Sequence, residues 1–119
     1  MATLTATLNI TSADATSEAL AIAQTDTIPI TTPVVNTAQV SVDTVSATVL
    51  IPTAKAAITY VYLKNTDSTN PITIRTGASV PYSDLGAGEW AFFPVKASVG
   101  CEVIASGGAV VAEYGYWTQ

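Results

Sequence analysis

The sequence predicts an all-β fold, an antiparallel β-sandwich of jelly-roll or immunoglobulin-like type with an extended N-terminal arm. Three observations carry this. Apolar and polar residues alternate with a period of two, most clearly in Thr3-Leu4-Thr5-Ala6-Thr7-Leu8-Asn9-Ile10-Thr11, where the apolar side chains fall on even numbers. Strand-sized runs rich in Val, Ile, Thr and aromatics recur about every 8 to 12 residues, as sandwiches and barrels require. Clusters of Gly, Pro, Asn, Asp and Ser punctuate them.

The elements follow in order. After the first strand, Ser12-Ala13-Asp14 reads as a turn. Leu20 and Ile22 then offer one apolar face in a second strand, with a short helix over Thr16 to Ala23 as the rival, because Ala, Leu and Glu favour helices. Thr25 to Asn36 carries Pro29 and Pro33, which bar central-strand pairing, so it reads as a linker or edge strand. Residues 1–36 therefore form N-terminal strands and an arm, and residues 37–119 the sandwich body of a single overall domain.

Within the body, Gln39 to Val42 and Val45 to Ile51 are strands, closed by Pro52-Thr53-Ala54. Ile58 to Lys64 is the strongest strand, apolar enough on both faces for the middle of a sandwich. The cluster Asn65 to Pro71 and the run Ile72 to Thr76 read as its hairpin turn and return strand. Ser79 to Leu85 adds a short strand broken by Pro81. Gly86-Ala87-Gly88-Glu89 is a tight turn before the aromatic core strand Trp90 to Val95. Cys101 to Ala105, a hairpin turn at Ser106-Gly107-Gly108 and Ala109 to Trp117 complete the chain.

Composition excludes several functions. The 119 residues fit one domain. Hydrophobic content is 49% and charged content only 11%, well below the roughly 25% of average soluble proteins. So few surface charges suit permanent assembly better than a free monomer. Four scattered cations, Lys55, Lys64, Arg75 and Lys96, in a chain of net charge −5 do not supply the basic cluster that nucleic acid or an anionic membrane demands. No secretory signal is visible, and no apolar stretch reaches spanning length.

Chemistry is equally sparse. The chain has no histidine, so Ser-His-Asp and Cys-His arrangements cannot form, and neither a G-x-S-x-G elbow nor a phosphate-binding loop occurs. Cys101 is the lone cysteine and reads as a small buried hydrophobe, without the basic neighbour a thiolate needs. Asp84 and Glu89 flank one turn and read as solvated carboxylates, the alternative being a glycosidase pair. Asn65, Asp67 and Thr69 begin like a calcium loop, but Asn70 and Thr76 stand where that loop requires Gly and Glu, so a plain turn is the default. Asn9-Ile10-Thr11 matches a glycosylation acceptor by pattern alone. The sequence thus predicts a protein that is not an enzyme and binds no cofactor or metal. Tyr114, Tyr116 and Trp117 are the candidate interface residues. Alternation puts the two tyrosines on one face and Trp117 on the other, with core-edge packing and a subunit seam as the competing roles and a glycan-stacking platform as a third.

Residues 58–116 resemble the small β-sandwich structural proteins of tailed bacteriophages. The likeness lies in Tyr60-Val61-Tyr62-Leu63-Lys64-Asn65-Thr66-Asp67, Pro71-Ile72-Thr73-Ile74, Leu85-Gly86-Ala87-Gly88-Glu89-Trp90-Ala91-Phe92-Phe93-Pro94 and Glu113-Tyr114-Gly115. The resemblance implies a virion component: a capsid decoration (cement) protein, a head fibre base or a tail component. The first is the expected one, at the capsid surface, a homotrimer that binds the major capsid protein and stabilises the head shell. A receptor- or glycan-binding tail or fibre domain is the alternative, motivated by Tyr114, Tyr116, Trp117 and Trp90. No functional residue transfers, because such proteins work through surfaces.

Overall fold

A computed structural model describes residues 2–31 and 38–119. The chain divides into two compact units, residues 1–31 and residues 32–119.

The first unit is a two-stranded antiparallel ribbon, β1 (Ala2–Ser12) and β2 (Leu20–Ile30). Its register pairs Leu4 with Ile28, Ile10 with Ile22 and Thr5 with Thr27. Even-numbered residues of both strands therefore share one face, which is mostly apolar, and β-branched threonines fill much of the other. The helix alternative for residues 16–23 fails. The chain bends through residues 13–18 and enters β2 at Leu20, because completing eleven cross-strand pairs with β1 outweighs local helix propensity. Thr25 to Ile30, expected as linker or edge strand, is the second half of β2. Pro29 is tolerated there because, among the described residues, the two-stranded ribbon leaves the other edge of β2 unpaired. Instead of a single extended arm, the described N-terminal residues form a regular hairpin. Pro33 and the rest of the predicted arm beyond Thr31 lie outside the described residues.

The second unit contains β3 (Ala38–Val42), β4 (Thr48–Ile51), β5 (Thr59–Asn65), β6 (Ile72–Thr76), β7 (Pro81–Leu85), β8 (Trp90–Val95), β9 (Cys101–Ala105) and β10 (Val110–Thr118). They build two four-stranded antiparallel sheets, ordered β3-β10-β5-β8 and β4-β9-β6-β7. The pairings nest: β3 with β10, β4 with β9, β5 with β8 and β6 with β7. Two further pairings, β10 with β5 and β9 with β6, close the roll. One long antiparallel ribbon folded at the β6–β7 turn and rolled up on itself gives this order. It is a jelly roll, which decides between the two sandwich types expected.

The topology corrects two local readings. Strands β5 and β6, expected as a hairpin, belong to opposite sheets, and so do β9 and β10 on either side of Ser106-Gly107-Gly108. Both connections cross between the sheets. Turn chemistry reports that the chain reverses, and is silent on which sheet receives it. The hairpin of the roll is instead β6–β7, closed at residues 77–80 with Ser79 at φ 66°.

The core lies between the sheets, and every strand of the roll contributes to it. Val42, Leu50, Val61, Leu63, Ile72, Ile74, Leu85, Val95, Val103 and Val110 are all buried there. In β5 the burial alternates strictly. Thr59, Val61, Leu63 and Asn65 are fully buried, while Tyr60, Tyr62 and Lys64 are half-buried on the outer face. Trp90 to Val95, expected as a core strand, is the last strand of its sheet among the described residues. Trp90 is 56% exposed, and Pro94 lies on a strand that, among the described residues, has β5 alone as a partner.

Candidate interaction surfaces

The predicted interface residues separate. Tyr114 and Tyr116 pack against the core from β10, with rings 6.5 Å apart and nearly parallel at 9°. Trp117 points to the opposite, outer face. The register extends that face: Trp117 opposes Tyr60, which opposes Pro94; Gly115 opposes Tyr62, which opposes Phe92; Glu113 opposes Lys64, which opposes Trp90. Five aromatic side chains thus share one sheet face. Tyr60 and Phe92 lie with centroids 5.9 Å apart and planes 18° from parallel, within the range of offset stacking. The Tyr62 hydroxyl donates to Glu113 Oε1 at 3.1 Å. Burial first, and then this carboxylate, push the Tyr62 phenol above its ordinary value. Sequence reading singled out Trp117 and Trp90 of this face. The alternation in Tyr60-Val61-Tyr62-Leu63-Lys64 was visible, but the pairing of β8 with β5 that brings in Trp90 and Phe92 is a long-range fact.

A second surface lies on the ribbon. Near its turn, Leu8, Ile10 and Ile22 share the apolar face at 41%, 42% and 37% exposure. At the other end, Ile28 and Ile30 are buried. On the opposite face the Thr7 and Thr25 hydroxyls meet at 3.3 Å.

Chemistry-bearing side chains elsewhere are tied up in local structure. Asn65 is fully buried. Its amide donates to the carbonyls of Asn70, Leu85 and Gly86, and its oxygen accepts from the Asp67 N–H. The Asp67 carboxylate accepts from the N–H groups of Thr69 and Asn70, and these bonds, Asn70 first, hold it below the usual carboxylate value. The segment, read by default as a plain hairpin turn, is a loop crossing between the sheets in which these polar groups bond one another. Asp84 accepts from the Thr73 hydroxyl at 2.7 Å, and Glu89 accepts from the Gly86 N–H within its own turn. Cys101 is fully buried with its sulfur 3.9 Å from the Tyr82 hydroxyl, and burial pushes its thiol up. Arg75 pairs with Glu102 at 3.0 Å, and Ser79 donates to the same carboxylate at 2.8 Å.

A depression of about 300 Å³ opens between β7 and β8, lined by Tyr82, Phe93, Pro94, Lys96 and neighbouring residues. Tyr82 meets Phe93 edge-on at 6.3 Å across it. Among the described residues no group of three or more His, Cys, Asp or Glu side chains could hold a metal ion. Comparison with protein-family models, with curated proteins and with solved structures found no match.

Proposed function

We propose that this chain is a non-enzymatic virion structural protein, a capsid decoration protein that acts as a homotrimer at the capsid surface and stabilises the head shell by binding the major capsid protein. The observation that carries the reading is the ribbon. Strands of eleven residues make it about 37 Å long, and its turn end exposes Leu8, Ile10 and Ile22 together. A two-stranded ribbon is marginal in water by itself. An apolar end on such a ribbon gains most when a neighbouring subunit or the shell covers it. Closed threefold symmetry lets three copies use one patch each without forming open filaments. The low charge supports the same reading, since little charged surface must be desolvated on assembly. Jelly rolls recur in capsid proteins, a support by analogy of fold only.

Purified protein is mixed with undecorated phage heads and followed by sedimentation and by heat release of the packaged genome. Binding with a raised release temperature is the expected result. The triple variant Leu8→Asp, Ile10→Asp, Ile22→Asp should fold but fail to bind. Absence of association by the unaltered chain would sink the proposal. A second reading, a receptor- or glycan-binding tail or fibre domain, draws on the aromatic face of the sheet β3-β10-β5-β8.

A further inference from the structure

The outer face of the sheet β3-β10-β5-β8 has the composition of a binding platform, and we propose that its ligand is a neutral, extended saccharide. Trp90, Phe92, Tyr60, Tyr62 and Trp117 lie in three cross-strand rows on β8, β5 and β10. Standard strand spacings put the two tryptophans about 17 Å apart along the diagonal. Ring faces carry the negative side of the aromatic quadrupole, which attracts polarised C–H groups such as those of a sugar ring.

Two features choose the ligand class. Lys64 and Glu113 stand side by side in the row that begins with Trp90, and Glu113 already holds the Tyr62 hydroxyl. An apolar protein partner would strip water from both charges, and interface centres are depleted of charges for that reason. A polyhydroxylated ligand stacks on the rings and still offers hydroxyls to the carboxylate, the ammonium and the tyrosines, so nothing polar is left unpaired. The one cation and one anion of this patch cancel, while the whole chain carries −5. An anionic polysaccharide would therefore be repelled on approach and a neutral one would not. The inference stands apart from capsid binding: failure of either leaves the other in place.

Trp90 and Trp117 are the only two tryptophans of the chain, and both lie on this face, so emission excited selectively at tryptophan reads this face. The test titrates the full-length protein with chitohexaose and laminarihexaose, alongside a neutral-glycan array. The expected result is a saturable emission change with at least one neutral glycan. Trp90→Ala, in an exposed position, should weaken it about tenfold, the loss of one ring contact. Tyr62→Phe keeps the packing and should weaken it less. Circular dichroism of both variants checks the fold. Silence across all neutral glycans overturns the proposal, as does binding indifferent to Trp90→Ala or restricted to anionic polysaccharides. Loss of acrylamide quenching of the tryptophans on assembly or on mixing with phage heads would also overturn it, because the occupant would then be protein.

Discussion

Asn65 shows how much one buried polar residue holds in place. Its side chain makes four hydrogen bonds, to residues of the crossing loop and to the β7–β8 turn. Asn65→Ala takes a hydrogen-bond partner from three carbonyls and an N–H in or near the core. The expected loss is about 3–5 kcal/mol in urea unfolding, against under about 0.5 kcal/mol for the exposed control Ser68→Ala. A shift of less than 1 kcal/mol would mean that the network is dispensable. Titration gives a second prediction at this scale. Cys101, Tyr62 and Tyr82 all have their ionisation pushed up by burial, Tyr82 most strongly and with Cys101 adding to it. The folded protein keeps these protons where the unfolded chain begins to release them, near the ordinary values of 9.0 for the thiol and 10.0 for the phenols. Their contribution is therefore complete below pH 9 and falls as pH rises, for Cys101 by at most about 1.4 kcal/mol per pH unit. With no histidine to titrate, melting temperature should stay flat from about pH 6 to 8. Cys101→Ala should lower the whole curve and move the onset of its alkaline fall from about pH 9 towards pH 10.

At the scale of elements, strand positions were legible and strand partners were not. Period-two alternation located β1 and β5, and turn clusters bounded β6, β9 and β10 closely, because both signals depend only on neighbouring residues. Pairing depends on which sheet each turn feeds, and the Asn65–Pro71 and Ser106–Gly108 turns both cross between sheets where sequence reading expected return strands. The exposure of Trp90 escapes the local pattern for the same reason, since an aromatic strand reads as core until its place at the edge of the sheet is known. Of the aromatic face, Trp117 and Trp90 were singled out from the sequence, but that they share one face follows only from the pairings. The turn between β8 and β9 makes a sharper element-scale prediction. Gly100 has φ 77°, and a Cβ there would lie 2.9 Å from the Ile51 carbonyl oxygen. Both the left-handed backbone and the collision with main chain oppose any side chain. Gly100→Ala should cost about 2–3 kcal/mol, whereas Gly88→Ala, at the same φ with open space around it, should cost about 1 kcal/mol. Equal losses at the two sites would mean that the contact with β4 contributes nothing.

For the whole molecule, the buried core cluster is drawn entirely from β3 to β10, and the nested pairings need no strand from the ribbon. The roll should therefore fold without residues 1–31. The truncated chain is expected to keep a β-sheet circular-dichroism spectrum and a single cooperative thermal transition. If the ribbon supplies the assembly contact, the same truncation should abolish binding to undecorated heads while leaving the tryptophan response to neutral glycans intact. A truncated chain that is unfolded in water would show that the ribbon is part of the folding unit. The roll should also fold slowly. Every pairing in the roll except β6–β7 joins strands distant in sequence, so the entropy of loop closure must be spent before most contacts form. Refolding from urea is expected in the millisecond-to-second range typical of all-β domains. Substitutions in the β6–β7 hairpin should slow it most, because that is the one place where the rolled ribbon can start from a short loop. The variant Ser79→Gly tests this. It relieves the φ of 66° at the turn but removes the hydroxyl bonded to Glu102. A change in unfolding rate alone would place the closure of the hairpin after the transition state.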